Sequence, residues 1–216
     1  MRKKQKRKEK KERNNKILII IIITIISLII ILFSLNILLR EKIVLNNNQK
    51  QALEKIFPQE HINKIKVWNG GIVSLGSTRT LCKSIYLKKN IKLNESEYIS
   101  LLIHETTHTY QGKNLITCIK MSISSLYNQL KYYIKHGSRD EAYYYEYNKT
   151  PSNPEQEAAL IEDYYSIKYM NYSIANFCQE CLSENIEDCY SCEHYPIDEQ
   201  IQTFETITNK ILEKYN

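Results

Sequence analysis

From Ile17 to Leu39 the chain runs for 23 residues without a charge, its apolar character relieved only by Thr24, Ser27, Ser34 and Asn36. As an α-helix this run spans roughly 35 Å, enough to cross a bilayer with some tilt. A buried core helix has no need of so long an isoleucine tract beside a basic block. Ten Lys/Arg and two Glu fall within Met1 to Lys16, a net charge of +8, whereas only Arg40 and Lys42 follow closely. The positive-inside rule then keeps the N-terminus in the cytoplasm and carries the rest across. A cleaved signal peptide would have an apolar region of about 7–15 residues and a small-x-small site. Asn36-Ile37-Leu38-Leu39-Arg40 has no such pattern. The expectation is an uncleaved signal anchor over 17–39, making this a single-pass membrane protein with an extracytoplasmic domain.

The whole chain carries +6, so everything after Lys16 sums to −2. The basic character belongs to the tail alone, and nucleic acid is excluded as a partner of the folded part. Glu41 to Asn216 is one domain's worth of chain, joined to the anchor by a polar stem over 40–48 that includes Asn46-Asn47-Asn48. Five glycines and four prolines point to helices rather than a sandwich of short strands. The richness in Ile, Lys, Asn and Tyr is a compositional bias of the kind that AT-rich coding produces, and carries no functional signal.

Gln49–Phe57 reads as a short helix stopped by Pro58. Lys64–Trp68 alternates as a strand, Asn69-Gly70-Gly71 is a turn, and Ile72–Leu75, Thr78–Cys82 and Ser84–Leu87 extend a small antiparallel sheet. Helices are expected over Glu95–Gln111, Leu115–Lys135, Asp140–Tyr147, Pro154–Tyr172 and Asp198–Lys214. On the last of these Ile201, Phe204, Ile207, Ile211 and Leu212 share one face. The fold class is therefore α+β, a small antiparallel sheet followed by a mostly helical region.

Within the Glu95–Gln111 helix lies His104-Glu105-Thr106-Thr107-His108. Two histidines four apart share a helix face, so both rings reach one metal ion, zinc being the ion that this motif type serves. Glu105 lies about 100° round the helix from His104, placed to act as a general base on water rather than as a ligand. Asn94 and Glu97 form a capping box at the start, and Gly112 supplies the stop. A catalytic zinc needs a third protein ligand and an open position. Gln111 and Asn114 stand where a metzincin has its glycine and third histidine, so that solution fails. A downstream helix opening Asn153-Pro154-Glu155-Gln156-Glu157-Ala158-Ala159 offers either Glu155 or Glu157, with alanines that permit close packing. His136 and His194 are rival ligands.

Leu75-Gly76, Ser84-Ile85-Tyr86-Leu87, His104-Glu105-x-x-His108-x-x-Gln111, Ala142-Tyr143 and Asn153-Pro154-Glu155-x-Glu157-Ala158 together resemble bacterial zincin-like metallopeptidases. The likeness covers residues from about 65 to 170. It implies a gluzincin-type site in which the first glutamate of Glu-x-Glu-Ala binds zinc, hence Glu155. Pro154 stands where the family usually has an intervening aromatic or apolar residue, which keeps Glu157 open beside Glu155.

The mechanism expected is zinc on His104, His108 and Glu155, with Glu105 as base and the strand ending at Leu87 as the edge for an extended protein or peptide substrate. Tyr143 to Tyr147 and His136 are oxyanion donors by type only. Cys178-x-x-Cys181 and Cys189-x-x-Cys192 form either two disulfides, favoured in an extracytoplasmic domain, or a structural zinc site; Cys82 and Cys118 are a possible third pair. Two function classes follow. One is a membrane-anchored zinc metallopeptidase; the other is a catalytically inactive zincin-like module anchored for binding.

Overall fold

The computed structural model of the chain describes residues 2–74, 77–137, 142–145, 149–170 and 197–215. The two Cys-x-x-Cys pairs, His194, Tyr147 and half of the helix expected over 140–147 lie outside the described residues, and the other half, Ala142–Tyr145, is not α-helical. Helix α1 runs Arg2–Leu38, and its Ile19–Leu38 stretch is long and apolar enough to cross a membrane and is only 6% buried. No stem follows. Strand β1 (Arg40–Ile43) begins two residues after α1, so the expected linker is instead the outer strand of the sheet. Arg40 stacks over the Trp68 ring at 3.9 Å and donates to Tyr86 Oη at 3.1 Å, fastening the helix exit to the domain.

Helix α2 (Asn47–Glu54) and the short α3 (Gln59–Ile62) lead into β2 (Lys66–Gly70), then β3 (Arg79–Leu81) and β4 (Ser84–Leu87). The sheet order is β1-β2-β4-β3, with antiparallel outer pairs and a parallel central pair, β2 with β4. The sheet is therefore mixed, not wholly antiparallel. The cause lies at Gly70 and Gly71, whose φ values of 75° and 94° turn the chain out of the sheet instead of folding it back as a hairpin. Ile72–Ser74, expected as a strand, is a 3₁₀ turn. It docks on the end of α1, where buried Asn36 accepts from the Val73 amide at 3.2 Å. The chain then returns as β3 and hairpins into β4, which thus runs parallel to β2.

Among the described residues four more helices follow: α4 (Glu95–Gln111), α5 (Leu115–His136), α6 (Pro154–Tyr169) and α7 (Ile197–Tyr215). Asparagine caps α2, α4, α5 and α6, through Asn46, Asn94, Asn114 and Asn153, each side chain accepting the amide three residues on. Gly137 closes α5 in the left-handed conformation, as its position predicts. The main core is built from Leu53 and Phe57, Leu102 and Ile103 of α4, Leu160, Ile161, Tyr164 and Tyr165 of α6, and Phe204, Ile207 and Ile211 of α7. A smaller cluster of Val67, Ile85 and Leu87 lines the sheet face. Residues Leu102 to Gln111 of α4 are all buried, so the second half of this helix is enclosed by its neighbours. Ala158, fully buried, lets α6 lie close against it. A Cys82–Cys118 disulfide ties the β3–β4 turn to the first turn of α5.

Candidate metal centre

The enclosed half of α4 carries the His-Glu-x-x-His segment. His104 and His108 present their rings from successive turns, with centroids 5.0 Å apart. Helix α6 brings Glu155 to them: Glu155 Oε2 lies 3.2 Å from His108 Nε2 and 3.7 Å from His104 Nε2. All three ligand atoms fall within 4.8 Å of one another, and all three residues are buried. Ligands about 2.05 Å from a tetrahedral ion sit about 3.4 Å apart, so the two carboxylate–imidazole separations already match such a centre.

Each member is held by a further partner, which leaves the ligand atoms pointing inward. His104 Nδ1 is 2.9 Å from Glu162 Oε2, and Ser100 donates to the other Glu162 oxygen at 2.6 Å. His108 Nδ1 is 2.8 Å from Gln111 Oε1. With Nδ1 committed to an acceptor, the proton sits there and Nε2 is free to bind metal. Glu155 Oε1 accepts from Ser125 and, at 2.9 Å, from Gln129, both on α5. A donor set of two imidazoles and one carboxylate suits a borderline ion such as zinc, not the hard cations that take only oxygen.

Glu157 takes no part in this cluster. Its carboxylate accepts from Gln111 at 2.8 Å, Lys214 at 2.7 Å and Tyr215 at 2.7 Å, so it joins α6 to α4 and to the end of α7. Burial, only partly offset by Lys214, pushes the Tyr215 hydroxyl up to about 12. Of the tyrosines considered, Tyr143 lines the cleft, its ring 5.7 Å from that of His104. Tyr145 instead donates to Asp163 at 2.6 Å and packs on Phe204. His136 ends α5, and its side chain lies outside the described residues.

Burial opposes a charge on His104 and His108, but their carboxylate neighbours outweigh it. The neighbouring Glu155 carboxylate and the hydrogen bond to Glu162 hold His104 well above the ordinary imidazole value, and the Glu155 charge raises His108. Burial likewise opposes ionisation of Glu155, yet the charge of His108, its hydrogen bond and the nearby His104 ring hold the carboxyl far below the usual range. Protons and a metal ion therefore compete for the same ring nitrogens, so metal binding at this cluster weakens as the pH falls.

Glu105 stands beside the cluster, with Oε2 accepting from Thr80 of β3 at 2.7 Å; the same hydroxyl also reaches the Glu105 carbonyl at 3.1 Å. Glu105, His104, His108 and Glu155 open together onto a cleft of about 240 Å³ walled by Thr78–Leu81 on one side and Met121, Ser125 and Gln129 of α5 on another. The strand beside the cleft is β3, an edge strand. The strand ending at Leu87 cannot pair with a substrate, because β4 is hydrogen-bonded on both sides, to β2 and β3. Glu162, Ser125, Gln129 and Thr80 were not legible as site residues. Glu162 left one trace, since seven residues after Glu155 it returns to the same face of α6. No protein-family model, no curated protein and no solved structure matches this chain.

Proposed function

We propose that the protein is a membrane-anchored zinc metallopeptidase of zincin-like type, hydrolysing peptide bonds of an extracytoplasmic protein or peptide. The observation that carries this reading is the buried His104–His108–Glu155 cluster with Glu105 beside it on one open cleft. A purely structural metal site has no use for a carboxylate held next to its ligands and facing a cleft. His104, His108 and Glu155 would hold the ion. Zinc bound there supplies a Lewis acid that acidifies water and polarises a carbonyl. Glu105, steadied by Thr80, takes the proton of the attacking water and returns it to the leaving amine. Among the described residues β3 ends the sheet, and its outer edge offers main-chain hydrogen bonds to an extended substrate. Tyr143, in the cleft, is of the right type to donate to the developing oxyanion.

The Cys82–Cys118 disulfide supports an oxidising, extracytoplasmic setting for the domain, as the charge asymmetry around α1 does. The test uses the full-length protein purified in detergent, loaded with zinc and given a diverse peptide mixture. Wild type is expected to produce new termini that chelation abolishes. Glu105→Gln is expected to retain zinc and lose cleavage by about 10²–10⁴-fold. Zinc-loaded wild type that binds peptides without cutting them would establish the inactive binding module instead.

A further inference from the structure

Helix α5 is inside out for a helix of a soluble domain. Its inward face, Cys118, Met121, Ser125 and Gln129, supplies the disulfide and the cleft wall. Its outward face carries Ile116, Ile119, Ile123, Tyr127, Leu130 and Ile134, all between 49% and 75% exposed. At about 100° per residue these six fall within an arc of roughly 80°, a continuous stripe along the whole helix. The described residues leave that stripe about half or more exposed along its length. Leu115–His136 contains Lys120, Lys131 and Lys135 and no acidic residue. An apolar stripe flanked by lysines and interfacial tyrosine is the pattern of a helix lying in a membrane surface.

The rest of the fold puts a membrane within reach. Because β1 starts two residues after α1, the domain has no slack with which to leave the bilayer that α1 enters. The end of α1 docks through Asn36 on the 3₁₀ turn, and Val73 of that turn lines the same cleft as α5. Anchor exit, cleft and α5 are therefore contiguous. We infer that the outer face of α5 seats in the headgroup–acyl boundary of the leaflet from which α1 emerges, giving the domain a second membrane contact. A second copy of the chain fits this face less well, since pairing two α5 helices brings lysines together with no acidic partner on either.

The inference rests on α1 spanning the membrane and extends the proposed function. With the cleft on the opposite side of α5, its walls lie about one helix diameter, 10–12 Å, from the lipid. The substrate is then a segment of polypeptide held close to the same membrane.

The experiment reconstitutes the full chain in vesicles of phosphatidylcholine with about a third phosphatidylglycerol, an anionic surface of the kind lysines favour. Ile123→Trp and Ile134→Trp are made separately and the wild-type emission of Trp68 is subtracted. The expected result is an about twofold loss of the added emission with acyl-brominated lipids and little quenching by aqueous iodide. Quenching by iodide alone overturns the inference, and so does shielding from both quenchers, which would mean that a second copy or another part of the chain covers the face. Extraction by alkaline carbonate shows separately whether α1 is integrated. If α1 washes out, the anchored reading fails together with this one; if it stays and the tryptophans remain in water, only this inference fails. Neither result depends on metal or cleavage.

Discussion

Glu155 and Glu157 stand about 200° apart around α6, and that angle divides their tasks. One faces the histidines of α4; the other faces Lys214 and Tyr215 of α7. Beside the rivals His136 and His194, the residues alone left Glu155 and Glu157 open and only the resemblance favoured Glu155, because the choice depends on how α6 is rolled between two neighbours distant in the chain. His104, Glu105 and His108 were legible outright, since their geometry is local to one helix. The partners behind them were not. Glu162 is expected to orient His104, so Glu162→Gln should weaken zinc binding by about 10–100-fold with the fold intact, read by competition with a chromogenic chelator. Glu60→Gln, which touches only exposed Lys64, should leave the affinity unchanged. His61 gives a pH prediction. Burial, with Lys83 and Lys64 nearby, lowers its value to about 4, and the ring lies 2.7 Å from Thr109 Oγ1. The unfolded chain takes up a proton near pH 6.5 and the folded chain only near pH 4, so stability present above 6.5 is lost as the pH falls through that window. The loss is on the order of 2 kcal/mol after discounting for partial exposure. The difference between wild type and His61→Gln in denaturant midpoints from pH 7 to pH 4.5 measures it, and parallel curves would refute it.

At the scale of elements, what was written locally came through and what depended on pairing did not. The caps of α4 and α6, the glycine that ends α5 and the apolar face of α7 are signals within a few residues, and each marks its helix within about two positions. Asn94 and Asn153 were legible as caps, whereas Asn46 and Asn114, which gave no such signal in an asparagine-rich chain, cap helices as well. The sheet was misjudged because Asn69-Gly70-Gly71 has the composition of a hairpin turn, while its real partner is α1. A Cβ at Gly71 would meet Asn36 Oδ1 at 2.6 Å, a contact no local pattern reveals. The disulfide joins two walls of the cleft across 36 residues of sequence. Loop-closure entropy for that separation gives about 3–4 kcal/mol, so reduction, or Cys82→Ser with Cys118→Ser, should lower the unfolding free energy by roughly this amount. The cleft should loosen with it, seen as faster amide exchange in β3 and the first turn of α5. A change below about 1 kcal/mol would show that β3 and α5 are held by packing alone.

For the molecule as a whole, the chain joins an apolar helix directly to a domain whose most enclosed helix bears the site. Leu39 alone lies between α1 and β1, and the polar stem expected over 40–48 proves to hold a strand and the start of a capped helix. Fold class followed from composition and periodicity; the mixed sheet and the outward apolar face of α5 are tertiary facts that local pattern does not encode. The central claim, a zinc centre on His104, His108 and Glu155, is tested most directly by metal analysis of the purified full-length protein in wild type, Glu155→Ala and Glu157→Ala. The expected result is one tightly held zinc per chain in wild type, retained in Glu157→Ala and lost in Glu155→Ala. A wild-type protein that holds no zinc, or a Glu155→Ala protein that holds it as tightly as wild type, would contradict the claim.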